Sequence, residues 1–576
     1  MARNFFTFPS VTLMTLLEIL LVNTRYSQLA PSGLPRSQLF LVIAVANYVF
    51  LLLWTTRIYP VFFHPLRRFP APKINMVSRI FTQLGSSLPP GQALLDMAER
   101  TPNDGVIVLQ GHGECLLLTK PGVLGEVLVQ HPYDFAKPSY ARDFMRPVLA
   151  DGLVIVEGER HQFLRKHVQT GFKLARIRAL YPAMMAKAAR LVEALGEGEV
   201  SSSTGSVVDV SVWAGKATFD TIMAAALGCD LDVLRRPHEP LLKLYAAVLQ
   251  PSAAAFVHLG LLFLLPPDVV RLLPFDAGRS MREAGDKLRL VMTDLIRQRR
   301  AAILSSGSLG DDNDGRVDIL SELIKDGFLS EDDMVDQLLT FMPAGYESTA
   351  STVSWIMYLL AVHPEWQDKL RAEIRGALPD FPPLSSEDEK PGYDGATLAT
   401  VLERLPYLNG IVNETLRLYP SLPVTARVAA RDTSIAGHAV EKGTEIVLSA
   451  WLVNRYTGVW GADACVFRPE RWITPTTPES AKDGEKDDDE ARFRDGTPNN
   501  TGGVAGNNYA HMTFLHGPRN CIGQGFARAE LRCLTAALVA AFSWRLAMDP
   551  RRAVPVGVIA SRPAHGMFLH LERVRR

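Results

Sequence analysis

Phe514-Leu515-His516-Gly517-Pro518-Arg519-Asn520-Cys521-Ile522-Gly523 is the stretch that decides how this chain is read. It fits F-x-x-G-x-R-x-C-x-G at every fixed position, from Phe514 to Gly523, which is hard to obtain by chance in so short a peptide. A cysteine that binds a metal must be a thiolate, which needs positive potential and backbone donors nearby. The helix-like run from Gln524 to Phe542 puts its amino end at Cys521, where free N–H groups and the helix dipole favour an anion. Gly517 and Gly523 let the backbone approach a flat macrocycle, and Arg519 suits a carboxylate. A lone cysteine is otherwise more often an inert, buried thiol. Zinc held by His511, His516 and Cys521 is a further option, although no fourth ligand at standard spacing is evident.

Composition narrows the classes. The chain has 576 residues, 47% of them hydrophobic, ample for a large core. Lys+Arg 61 balances Asp+Glu 61, which gives no sign of a nucleic-acid partner. The cysteines Cys115, Cys229, Cys465, Cys521 and Cys533 are scattered and form no C-x-x-C pair, so a reducing compartment fits better than a disulfide-framed secreted domain. Helical patterns dominate. Strand-like runs fall at 105–120 and 436–449, the latter reading as a hairpin that turns at 440–443. The polar stretches 305–316 and 481–508 lack apolar residues to bury and read as surface or disordered insertions.

The N-terminus reads as an anchor. Residues 37–56 (SQLFLVIAVANYVFLLLWTT) carry no charge, and about 20 apolar residues suffice to cross a bilayer. Tyr48 and Trp54 suit an interface, and Arg57, Arg67, Arg68 and Lys73 follow, which places the bulk of the protein in the cytosol. Residues 5–22 are a second apolar stretch, broken by Glu18, that reads as another span or an interfacial helix. No signal-peptide cleavage site precedes Ser37. The division is therefore 1–36, an apolar luminal or interfacial segment; 37–56, a transmembrane helix; 57–73, a basic proline-rich hinge; and 74–576, one catalytic domain with its polar insertion at 481–508. Residues 244–267 are also uncharged, but Pro251, Gly260 and Pro266-Pro267 interrupt them. They read as a core segment or a surface dipping into lipid, not a third span.

The cysteine peptide resembles the heme-binding signature of the cytochrome P450 family, and the likeness extends over essentially everything after the hinge. Glu414-Thr415-Leu416-Arg417 resembles the family's E-x-x-R motif, and Arg471 in Pro469-Glu470-Arg471-Trp472 resembles its third member; the resemblance makes these scaffold, not catalysts. Arg427 stands where the family places a propionate-binding arginine on a strand. Ser330 with Asp333 reads as a capping box and Leu329 with Met334 as a hydrophobic staple. The helix they open runs to Val362, ahead of Pro364, about 32 residues or roughly 48 Å, with a kink expected at Pro343. Ala344-Gly345-Tyr346-Glu347-Ser348-Thr349 in its middle resembles the family's oxygen-binding segment. Small residues at 344 and 345 are expected to make room for dioxygen and substrate, and Glu347 with the hydroxyl of Ser348 or Thr349 to relay protons. Gly158-Glu159-Arg160-His161-Gln162-Phe163-Leu164-Arg165 resembles W-x-x-x-R, with His161 in place of tryptophan.

The resemblance implies a mainly α fold with small β-sheets, a long central helix over the heme, and an N-terminal transmembrane anchor. It implies heme b (iron protoporphyrin IX) with Cys521 as axial ligand of the iron, and Arg519, Arg427, His161, Arg165, Phe514, Gly517 and Gly523 as its other contacts. The implied activity is monooxygenation of a lipophilic small molecule, with electrons from a separate NADPH–cytochrome P450 reductase docking near the thiolate and cytochrome b5 as an auxiliary donor. Location at the endoplasmic reticulum membrane, in contact with lipid, and a place in secondary-metabolite biosynthesis follow by the same analogy, as do pocket-lining segments at 137–148, 245–264, 338–348, 422–426 and 556–560. The competing readings are a heme-thiolate isomerase or dehydratase that needs no reductase, a sterol or fatty-acid hydroxylase of primary metabolism, and a non-catalytic heme or lipid carrier.

Overall fold

Apolar residues recurring at helical spacing govern most of the chain, and the computed structural model is accordingly mainly α with small sheets. It describes residues 16–18, 36–54, 58, 66, 69–72 and 88–574, except 112, 199–205, 237–238, 250–252, 265–269, 271–278, 306–317, 380–393, 476–495, 500–506 and 558–559. Most of segment 1–36, much of the hinge and most of both polar insertions thus lie outside the described residues.

Helix α1 (Arg36–Leu53) covers most of the expected span, and Thr55 and Thr56 lie outside the described residues. Its Val42, Val45, Val49, Phe50 and Leu53 stay about half exposed. Asn47 Nδ2 donates to Glu18 at 2.7 Å, tying α1 to the first apolar stretch. Among the described residues no helix is long and apolar enough to cross a membrane.

After a short helix at Gln92–Arg100 come strands β1 (Val106–Gly111) and β2 (Gly113–Leu118), and β3 (Phe135–Ala136) precedes helices α2 (Ser139–Leu149), α3 (Gly158–Val168) and α4 (Tyr181–Gly198). Strand β4 (Ser206–Asp209) leads into α5 (Val210–Leu227), α6 (Pro240–Leu249), α7 (Ala253–Leu264) and α8 (Arg279–Ser305). There follow α9 (Glu331–Val362), α10 (Pro364–Ala377), α11 (Pro406–Leu418), β5 (Thr425–Ala429), β6 (Thr433–Ile435), β7 (His438–Val440), β8 (Glu445–Leu448) and α12 (Gln524–Ala541). The largest sheet has the order β1-β2-β8-β5-β3, with β2 and β8 parallel and the other pairs antiparallel. Strand β4 joins Phe542–Leu546 and Phe568–Arg573 in a three-stranded sheet.

The hairpin expected over 436–449 is displaced. Strand β7 pairs with β6, whereas β8 pairs with β5 and β2. Ala436 and Gly437 are both left-handed, at φ 51° and 74°, the conformation that matches the twist of a two-residue hairpin turn. The uncharged stretch 244–267 divides between α6 and α7, with Pro251 between them. Tyr245 and Leu262 are buried there, while Val257 is exposed.

The capping box forms as read: the Ser330 hydroxyl accepts from Asp333 N, the Asp333 carboxylate accepts from Ser330 N, and α9 runs unbroken through Pro343 to Val362. It is the spine of the core, packed by α5, α8 and α12. A Cβ on Gly345 would stand 2.8 Å from the Ile222 side chain of α5, so this glycine serves close helix packing. Of the two small residues expected to make room over an iron, Gly345 thus packs against α5, whereas Ala344 is exposed.

Candidate active site

The peptide before α12 is wound tightly. Cys521 N donates to Phe514 O at 2.8 Å, closing the loop, and Leu515 is left-handed at φ 55°. Gly517 has φ 75°, and a Cβ there would lie 2.1 Å from the Leu128 carbonyl; the glycine is required by neighbouring protein. A Cβ on Gly523 would meet only the Cys521 sulfur, at 3.9 Å, so Gly523 is not sterically compelled. Its N–H points at that sulfur. Burial raises the Cys521 thiol, while the Gly523 N–H and the Arg165 guanidinium pull it down. Cys521 lies deep in the protein yet keeps an open surface, because it lines a cleft of about 770 Å³ with Arg165, Arg178, Arg404, Arg528 and Arg532. Among the described residues no three of His, Cys, Asp or Glu are grouped to hold a metal ion, so the trio His511, His516 and Cys521 does not assemble as a zinc site.

A second group gathers between β3, β5 and the start of α3. Arg427 is 3% exposed. It donates to Ala426 O at 2.8 Å and Thr425 Oγ1 at 3.4 Å, and among the described residues makes no ion pair. Burial, then the Arg519 charge, lowers it to about 10. Arg519 is engaged: Nη2 binds both carboxylate oxygens of Glu157, one at 2.6 Å, and Nη1 donates to Phe135 O at 2.6 Å and Pro132 O at 3.1 Å. Lys137 Nζ reaches Glu157 Oε1 at 3.1 Å, and Lys137 N at 3.0 Å. His161 is held near 4 by burial and by Lys137 and Arg519, hence neutral, with Nδ1 3.2 Å from the Tyr133 hydroxyl. Arg165 turns toward the cysteine peptide, donating to Asn520 O at 2.7 Å and Asn520 Oδ1 at 2.6 Å. Reading the sequence missed Glu157 and Tyr133 as members of this site and placed Lys137 only at the start of a pocket-lining segment; no spacing rule ties them to it, although Glu157 directly precedes the motif starting at Gly158.

On α9, Ala344 is exposed beside buried Pro343 and half-buried Gly345, and Ser348 lies one turn on along the same face. Ser348 Oγ donates to Ala344 O at 2.6 Å. Its carbonyl accepts from Thr352 Oγ1 at 3.0 Å and Ser421 Oγ at 2.9 Å. Burial pushes the Glu347 carboxyl up to about 7, opposed by Arg562. Thr349 instead faces the core, 2% exposed, beside the carboxyl of Glu530 on α12. That carboxyl is 1% exposed; burial drives its pKa well above the usual range, with the Thr349 and Thr221 hydroxyls opposing. Glu530 was also missed, though an acid within the apolar run of α12 was a visible signal.

Beneath this, Glu414 takes Arg417 Nε and Nη2 at 2.8 and 2.7 Å, Arg471 Nε at 3.3 Å, Trp472 Nε1 at 2.9 Å and Arg468 N at 3.0 Å. Arg417 Nη1 also donates to the carbonyls of Asn454 and Ala464. Asn454 in turn accepts from Met512 N at 2.8 Å and donates to Thr513 Oγ1 at 2.9 Å, so the charged network supports the root of the cysteine peptide.

The residues fit a heme. The Gly523 N–H and the Arg165 guanidinium beside Cys521 are the donors that a metal-bound thiolate needs, and Lys137, Arg427 and Arg519 against Glu157 leave a buried surplus of positive charge suited to propionates. A family model described as Cytochrome P450 matches residues 72–565. The chain is 35% identical to the cytochrome P450 monooxygenase sphH of Aspergillus fumigatus over 88% of each chain. It is 33% identical to the cytochrome P450 monooxygenase ptmK of Penicillium ochrochloron, over 84% of this chain and 89% of that one.

Proposed function

This chain belongs to the cytochrome P450 family and is a heme-iron monooxygenase, and from that premise we propose that it inserts one atom of dioxygen into a lipophilic secondary metabolite of terpenoid or polyketide type, by hydroxylation, epoxidation or multistep oxidation. Heme b, when bound, supplies dioxygen activation at an iron enriched in electron density by its thiolate. Cys521 is that ligand. Arg427, His161 and the Arg519–Lys137 group hold the propionates, and Phe514, Gly517 and Gly523 shape the bed. Arg165 acts through Asn520 and the sulfur. Ser348 holds a proton at Oγ on the open face of α9, and Glu347, poised near neutrality, replenishes it. The setting of Cys521 carries the reading.

Electrons come from an NADPH–cytochrome P450 reductase, with cytochrome b5 as auxiliary. The cleft beside Cys521, lined by five arginines and one acid, Glu403, suits an acidic docking face. The half-exposed apolar side chains of α1 and the uncharged helix α7 support single-pass anchoring in the endoplasmic reticulum membrane with lipid against the body.

Microsomes carrying this chain with a reductase test the reading. A mercaptide-type Soret band in the reduced carbon-monoxide complex is expected, lost in Cys521→Ala, together with NADPH-dependent oxygen uptake and oxygenated product in extracts fed terpenoid and polyketide candidates. Turnover without NADPH refutes monooxygenation in favour of isomerase or dehydratase chemistry.

A further inference from the structure

The carboxylate of Glu157 sits inside a cluster that otherwise has every reason to attract a heme's own carboxylates. It is the N-cap residue of α3, yet its side chain makes no cap hydrogen bond. It reaches instead across to β3 and the cysteine peptide, gripping Lys137 through both its backbone N and its Nζ and Arg519 through Nη2. Register puts Arg427 in the same place: Ala136, next to Lys137, pairs with Val428, next to Arg427. Arg427 and Arg519 are 3% and 8% exposed, and buried cations are tolerated only when compensated. Arg165, the other nearby cation, is committed to Asn520 and the Cys521 sulfur. His161 is neutral. Three cations against one anion leave a surplus of two, the charge carried by two propionates.

We propose that Glu157 is the internal counter-charge of the propionate cradle: it pairs with Lys137 and Arg519 and trims the cradle to the charge of the two carboxylates it receives. The inference rests on the heme-thiolate reading above. Two consequences follow from elementary electrostatics. A buried anion near the iron favours its oxidised form, so neutralising Glu157 makes the reduction potential more positive. The same change removes repulsion on the propionates and frees Arg519 Nη2 for them, so heme is held more tightly. A merely structural Glu157 has the opposite signature, because losing a brace loosens Arg519 and speeds heme loss.

The experiment uses the full-length, heme-loaded protein with Glu157→Gln, Glu157→Asp and Lys137→Gln. Midpoint potential is read by spectroelectrochemical titration, and heme retention by the rate of transfer to excess apomyoglobin. Glu157→Gln is expected to shift the potential positive and slow heme transfer several-fold; Glu157→Asp, which keeps the charge, leaves the potential at the wild-type value. Lys137→Gln, which removes a cation, shifts the potential negative and speeds transfer, and tests the charge balance even where the Glu157 variants fold poorly. An unmoved potential in Glu157→Gln or Lys137→Gln, or faster transfer in Glu157→Gln, overturns the proposal. Failure of the heme-thiolate reading itself is separate: it appears as a missing mercaptide Soret band in the wild-type protein.

Discussion

Replacing Glu414 by alanine removes the carboxylate that Arg417 and Arg471 share, at sites 0–2% exposed. Breaking a buried pair by removing one partner destabilises by about 3–5 kcal/mol, since a charge is left uncompensated. Here the guanidinium groups are not wholly stranded. Arg417 Nη1 keeps two carbonyls, and Arg471 Nη2 keeps Asp463. That puts the charge effect at the lower end, about 3 kcal/mol. Trp472 Nε1 and Arg468 N lose their acceptor as well, and each buried donor left unsatisfied adds about 1–3 kcal/mol. The sum, roughly 5–9 kcal/mol, is a large part of the 5–15 kcal/mol by which a folded domain is stable. Because Asn454 links this network to Met512 and Thr513, the loss should also disturb the thiolate. We expect Glu414→Ala to accumulate poorly, to carry less than stoichiometric heme and to convert early to the inactive carbon-monoxide form. Glu414→Gln, which keeps the volume but not the charge, should fall in the same direction. The assay is denaturant unfolding of the heme-loaded protein followed at the Soret band, with heme content measured in parallel. A Glu414→Ala protein with full heme and a stability within about 1 kcal/mol of wild type would show that the network is not what supports the cysteine peptide.

Ser348→Ala should waste reducing equivalents as peroxide and lower product formed per NADPH, whereas Thr349→Val, whose hydroxyl faces Glu530, should leave that ratio near wild type and lower only thermal stability; equal uncoupling in both variants refutes the assignment. With the Glu347 carboxyl raised to about 7, product per NADPH should fall from about pH 6 to about pH 8 as the acid ionises, and Glu347→Gln should flatten that profile. The Glu530 carboxyl is raised far above its unfolded value, so the folded state loses stability as pH climbs from the unfolded pKa through the folded one. Glu530→Gln should therefore melt higher than wild type at about pH 8 and equal it at about pH 4; a lower melting temperature at the higher pH refutes the buried neutral acid.

Local signals carried much of the fold into the sequence. Helix α9 was legible from end to end because both its boundaries are written in side chains: Ser330 and Asp333 at one end, Pro364 beyond the other. The run 105–120 was legible as strand but not as the antiparallel pair β1–β2 that it forms. The failed hairpin at 436–449 shows the limit. Two glycine turns lay close together, at Gly437 and Gly443, and local chemistry did not say which strand β8 would join; β8 pairs with β5 and, in parallel, with β2, far back in the chain. Parallel pairing leaves no turn to read.

At the site the same limit takes a sharper form. Reading Ala344 to Thr349 as a peptide assigns chemistry to residue types, but a helix turns about 100° per residue, so neighbours face different surroundings. Ala344 and Ser348 share the open face. Gly345 and Thr349, again one turn apart, share the opposite allegiance: one lets Ile222 in, the other meets Glu530. Spacing fixes that these residues form two pairs; which pair faces the ligand is set by α5 and α12, whose packing no local pattern encodes. Arg519 repeats the lesson in charge. An arginine two residues before the cysteine reads as a hand for a carboxylate, and it does hold one, but the carboxylate is Glu157 of the chain itself. Motif arginines announce that negative charge will be met there; how much of it the protein supplies decides how much is left for a ligand.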